Sequence, residues 1–154
     1  MENSTDKPKT SSQFQVAAAS LAFLMWGGWA FWINGGADLL TPHSTAPLDT
    51  PVISGLTQGS CSFVITLVMV HLVTALYRVV PRSTQLVVPG MVTVAATGSC
   101  LAAAHALVGT PEIARTIAPA LVVAFLFNVF TAVKLRRDDN LLAAACRMKG
   151  ATHA

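Results

Sequence analysis

Charge is scarce in this chain. Asp, Glu, Lys and Arg make up 11% of its 154 residues, where a soluble globular domain carries roughly 25%. So few charges cannot cover a globular surface, and composition excludes an ordinary soluble fold. Catalytic constellations are missing as well. The sequence holds no nucleophile–base arrangement, no paired carboxylates within an apolar run and no metal-ligand spacing. Its three cysteines, Cys61, Cys100 and Cys146, contain no CxxC motif and give no metal or redox signature. No glycine-rich loop of the phosphate-cradling kind occurs. A non-enzymatic role is therefore the default, and no cofactor or metal is expected. The basic residues are dispersed and lack interleaved aromatics, so the net charge of +3 is no footprint of nucleic acid.

What the chain has is apolar length. Hydrophobic residues make up 53% of it. They gather in four runs, at about 14–34, 55–80, 86–108 and 113–133. Each is near the ~20 residues that carry a helix across ~30 Å of hydrocarbon. Inside lipid a backbone must satisfy its own hydrogen bonds, so the runs are read as helices. The expected fold is all-α: an integral membrane four-helix bundle over residues 14–134, between tails at 1–13 and 135–154. The first run exceeds the ~7–15 apolar residues of a signal-peptide core and is read as a retained helix.

The basic residues sort by side. Lys7 and Lys9 precede helix 1. Arg78 and Arg82 lie between helices 2 and 3. Lys134, Arg136, Arg137, Arg147 and Lys149 follow helix 4, and only Arg115 stands on the other side. The positive-inside rule places both termini in the cytoplasm. The alanine-rich, short-loop design suggests a bacterial inner membrane. The outer loop before helix 2 holds Pro42, Pro47 and Pro51 and is expected to be extended. Asp38, His43 and Asp49 in and beside it match no ligand signature. Gly109-Thr110-Pro111 makes helices 3 and 4 a tight hairpin, and Pro119 is expected to bend helix 4. The tail after residue 135 can form a short separate helix that starts at Asp138 or Asp139.

The stretch WGGWAFWINGG, residues 26–36, places Trp26, Trp29 and Trp32 as interface anchors at the outer membrane surface. On helix 2, Gly55, Gly59, Ser62 and Thr66 form a small-residue stripe. It is expected to pack against the small residues of helix 3 or against a second subunit. Thr50-Pro51 and Thr110-Pro111, with HLVTAL and NVFTAV further along, suggest a duplicated two-helix hairpin.

No Asp, Glu, Lys or Arg lies in the central part of any helix, which argues against ion-coupled transport. His71 sits about 24 Å below the outer end of helix 2 and His105 about 5 Å below that of helix 3. They cannot share one metal or haem. His71 and Asn128 have similar depth and form a candidate polar pair. Its plainer reading is an interhelical hydrogen bond worth ~0.6 kcal/mol. Gln58, His105, Glu112 and Arg115 form a candidate outer polar patch, with Glu112 and Arg115 spaced to pair. The plainer reading is that these side chains snorkel to water. Cys61 and Cys100 lie at similar depth, which leaves a disulfide open. The first functional reading is an accessory or assembly subunit, with membrane lipid and either a homo-oligomer or a partner membrane protein as its partners. The alternative is a small oligomeric transporter or lipid flippase for a lipid or neutral solute.

Overall fold

The computed structural model describes residues 12–40 and 48–151. Four helices account for nearly all of them: α1 (Ser12–Phe31), α2 (Asp49–Val79), α3 (Val88–Leu107) and α4 (Ile113–Ala151). A π-helical segment, Trp32–Gly36, and one 3-10 turn, Asp38–Leu40, follow α1. Among the described residues there is no strand. Four helices are long and apolar enough to cross a membrane. Most of the N-terminal tail, with Lys7 and Lys9, and loop residues Pro42, His43 and Pro47 lie outside the described residues.

The packing is inside-out relative to a soluble protein. The buried side chains are small or polar, among them Ser54, Gln58, Thr93, His105, Thr116 and Asn128. Large apolar side chains such as Leu21, Leu24, Val64, Met91, Leu126 and Phe130 face outward. Lipid tails are as apolar as leucine, so nothing drives leucine inward in a membrane. Close backbone approach and polar contacts are what join helices there.

Three helix boundaries differ from expectation. Helix 2 begins at Asp49, six residues before the expected start at 55. Pro51 stands in its first turn, where a missing N–H breaks no bond, and Asp49 complements the positive end of the helix dipole. Helix 1 ends at Phe31, because Gly35 adopts φ +106° and the chain leaves the helix through Asn34. Helix 4 does not stop near 133. It continues unbroken for 39 residues, so the expected separate tail helix is its own extension. No glycine or proline interrupts residues 120–149. At 1.5 Å per residue α4 is about 58 Å long, nearly twice the ~30 Å of a bilayer core.

Helix α1 packs along α2 and meets α4 over a short stretch, α2 contacts α3 and α4, and α3 pairs with α4. The two glycines of the small-residue stripe lie against α1. A Cβ on Gly55 would stand 3.0 Å from the Gly27 carbonyl oxygen, and one on Gly27 would stand 2.9 Å from that of Gly55. Gly59 meets the Phe23 carbonyl in the same way. A stripe of small residues says that some backbone comes close, and Gly27 on α1 supplies the matching one. On α3, Gly98 rests against Leu121 of α4.

Candidate functional site

The end of the molecule near Asn34 holds two linked sets of buried polar groups. The first starts where α3 stops. Gly109 has φ +70°, which a residue without Cβ adopts freely. The chain then folds back: the Gly109 N–H donates to the Ala106 carbonyl (3.2 Å) and the Thr110 N–H to the His105 carbonyl (3.0 Å). This Schellman pattern sets the second residue past the cap beside the third from the helix end. Here those residues are Thr110 and His105, and a hydroxyl–imidazole bond of 2.8 Å joins them.

The rest of the chain of bonds fixes the direction of each proton. His105 Nε2 lies 2.7 Å from Gln58 Oε1, an atom that can only accept. Nε2 therefore carries the proton, and in the neutral ring Nδ1 accepts from the Thr110 hydroxyl. Thr110 in turn accepts from Ser54 at 3.2 Å. Gln58 Nε2 donates to Ser62 Oγ at 3.4 Å. Gln58 and His105 are fully buried, so neither snorkels to water.

The second set is centred on Asn34. Its Nδ2 donates to the Ala30 carbonyl and to Thr116 Oγ1, both at 2.8 Å, and its Oδ1 accepts from the Glu112 N–H at 3.2 Å. One side chain thus satisfies a carbonyl at the end of α1 and an N–H at the start of α4, two places where helices leave backbone groups unpaired. Trp29 adds a third link. Pro119 has no N–H to offer the carbonyl four residues back, that of Arg115, and the Trp29 indole N–H donates to that oxygen at 3.1 Å. Of the three tryptophans, expected as interface anchors, Trp29 makes a helix–helix bond. Trp32 is exposed, and Trp26 lines a cavity.

The expected outer patch divides. Gln58 and His105 bond each other inside. The side chains of Glu112 and Arg115 are exposed and approach to 3.9 Å, and only their main-chain atoms enter the network. The structure does not bring His71 and Asn128 together. His71 is exposed, while Asn128 is fully buried and neither of its amide atoms has a hydrogen-bond partner. Asn128 rests against Gly90 of α3. The two positions matched in the proposed repeat therefore sit in different surroundings. Cys61, Cys100 and Cys146 are free thiols.

Thr110, His105 and Gln58 have the order of a nucleophile, its base and an orienting group. Thr110 is 5% exposed, His105 is fully buried, and neither cavity described here is lined by them. The groups of this chain bond one another across α2, α3 and the turn after α3, and so clamp those elements together. Asn34, Thr110, Thr116 and Ser54 were not candidates in the sequence. The Gly109-Thr110-Pro111 run was the available signal for Thr110, since glycine followed by proline marks a helix stop.

Below this clamp a half-open groove of about 400 Å³ runs among the four helices. Ala18, Ala22 and Trp26 of α1 face Ala120, Ala124 and Phe127 of α4 across it. Thr66 and Thr97 on its wall donate their hydroxyl protons back to carbonyls of their own helices, so its lining is effectively apolar.

At the opposite end, the Tyr77 hydroxyl donates to Asp139 Oδ2 (3.2 Å) and Arg82 donates to Asn140 Oδ1 (2.8 Å). These bonds hold the first turns of the α4 extension against α2 and the following loop. No family model, no curated protein and no solved structure matches the chain.

Proposed function

We propose that this protein is a non-enzymatic accessory or assembly subunit of a bacterial inner membrane, a four-helix bundle with both termini cytoplasmic. The observation that carries this reading is the α4 extension. It is continuous with the apolar part of the helix, so it projects from the membrane instead of lying on it. Residues 137–148 are exposed along their length, including Leu141, Leu142 and Met148. Apolar side chains displayed on a rigid projecting helix suit a protein partner. The clamp at the other end supports the same reading, since its groups bond one another and hold the helices in place. The distribution of Lys and Arg supports the orientation.

A photo-cross-linking residue at Leu142 tests the proposal in native membranes. One discrete cross-linked species is expected, and it disappears when Leu141→Glu and Leu142→Glu are introduced in a chain that still inserts. A lone monomer that cross-links to nothing, in membranes and in mild detergent, overturns it. Cys146 tests the orientation: an impermeant maleimide should label it in inside-out vesicles and not in intact cells.

The groove favours a second reading, the uncoupled lipid carrier. At ~30 Å³ per heavy atom, about the share of a water molecule in the liquid, the cavity holds roughly 13 heavy atoms. Residues 15–26 line it on α1, a run of about 17 Å. An extended chain spans that length in about 14 bonds at ~1.2 Å each. Volume and length both match one hydrocarbon tail. A helix ~10 Å across would fill the same volume in a single turn, so the groove is too small for one. Reconstituted vesicles in which labelled lipid stays in its original leaflet would remove this reading.

A further inference from the structure

A second, open groove of about 470 Å³ lies at the Tyr77 end, between Leu86 and the side chains of Val133, Arg136, Arg137, Asn140 and Leu141 on α4. From these residues we infer a binding site for the phosphate headgroup of an anionic membrane phospholipid.

The helical arrangement makes this face single-signed. With Arg136 set at zero and about 100° per residue, Asn140 falls at about 40°, Val133 at about 60°, Arg137 at about 100° and Leu141 at about 140°. Asp138 and Asp139 fall at about 200° and about 300°, off both edges of that arc. Asp139 is drawn the other way, to the Tyr77 hydroxyl. Among the described residues, neither Arg136 nor Arg137 pairs with a carboxylate.

Asn140 is set for the same task. Its Oδ1 accepts from Arg82, which uses the acceptor end of the amide and leaves its N–H groups as donors. An anion in the groove meets two guanidinium groups and an amide N–H, all donors. Of the apolar members, Leu86 and Val133, on the membrane side of the arginines, suit the first carbons of an acyl chain. Val133 ends the apolar run and Lys134 begins the charged one, so the groove sits at the level of lipid phosphates. A basic pocket between helices at that level is a recurrent way to hold an anionic headgroup. The inference needs only that the helices span a membrane, and it stands whether or not a protein partner exists.

Native mass spectrometry of the full-length protein, exchanged into phosphatidylcholine alone or mixed with phosphatidylglycerol, tests it. Phosphatidylglycerol should be retained in preference to phosphatidylcholine. Each Arg→Gln change at Arg136 or Arg137 should weaken that preference about fivefold, and the pair about twenty-five-fold. Leu86→Ser should weaken retention without changing the net charge. Arg147→Gln, which removes a charge on the same side of α4 but three turns, about 16 Å, beyond the groove, should leave retention unaltered. If Arg147→Gln matches Arg136→Gln, bulk charge is responsible and the site is overturned. If inorganic phosphate displaces the lipid completely, the site is one for free anions and the assignment to lipid fails. An unchanged unfolding midpoint in the variants separates lost binding from lost structure.

Discussion

The two ends of the molecule treat polar groups in opposite ways. Near Asn34 the polar side chains are buried and each is answered by a neighbour. Near Tyr77, Arg136 is half-buried and Arg137 exposed, and among the described residues neither has an acidic partner. Ser54, Thr110, His105, Gln58 and Ser62 spend their hydrogen-bonding capacity on one another, so little remains to act on anything else. Arg136 and Arg137 make no such bonds among the described residues, which is why the lipid headgroup is proposed there. In a membrane protein, then, a polar residue deep inside is weak evidence of a site until its partners are counted. Asn128 lies between the two cases, being buried and unanswered.

The largest effect should come from breaking the answered end. His105→Ala removes the ring, leaves a hole, and strips partners from Gln58 Oε1 and the Thr110 hydroxyl. Cavity and unpaired buried groups together should cost about 3–5 kcal/mol, read as a lower midpoint of equilibrium unfolding in mixed micelles. A loss below about 1 kcal/mol would mean that water replaces the ring and that the clamp does little.

The next effect sharpens the comparison on adjacent residues. Gly27 and Gly28 look alike in the sequence. A Cβ on Gly27 would meet the Gly55 carbonyl oxygen at 2.9 Å, whereas one on Gly28 meets nothing within 4 Å. Gly27→Ala should force α1 away from α2 and cost about 1–3 kcal/mol. Gly28→Ala should stabilise by up to about 1 kcal/mol through helix propensity alone. The same unfolding titration reads both, and equal effects would refute the crossing at Gly27.

Much of the fold was legible in the sequence. Apolar length and the gaps at 81–85 and 109–112 located four helices, because hydrocarbon thickness is a ruler that the residues must match. Helix ends were less legible. From the sequence Pro51 reads as a loop residue, but it stands in the first turn of α2, which tolerates proline. The pairing of helices was not legible. Gly55 and Gly59 announced a close contact but not its partner, since small residues specify distance and not identity. For the clamp, Gln58 and His105 could be named, but their bond depends on α2 and α3 meeting at that depth. Asn34 was hidden because its role is to join the ends of two helices, α1 and α4, that lie 78 residues apart in the chain.

Asn128 provides a change of opposite sign. Its amide is buried with neither atom bonded, so Asn128→Leu replaces an unanswered polar group with an apolar one of similar size. The unfolding midpoint should rise by an amount equivalent to about 1 kcal/mol. Gln58→Leu, at an answered amide, should lower it. If Asn128→Leu is also destabilising, the amide has a partner beyond the chain's own side chains, such as a bound water or a lipid group, and Asn128 belongs with the open arginines instead.

The smallest effect tests which atoms of the outer patch matter. Glu112 contributes its backbone N–H to Asn34 and its carbonyl to Thr116, and alanine keeps both. Its carboxylate reaches Arg115 only at 3.9 Å, with both side chains largely in solvent. An exposed pair in that geometry contributes about 0–0.5 kcal/mol, and salt screens it. Glu112→Ala should therefore leave the unfolding midpoint nearly unmoved at any ionic strength. Glu112→Pro, which deletes the N–H itself, should lower it by about 1 kcal/mol, the scale of a lost helix cap. If the alanine and proline variants behave alike, the clamp is electrostatic and its side chains, not its backbone, join α1 to α4.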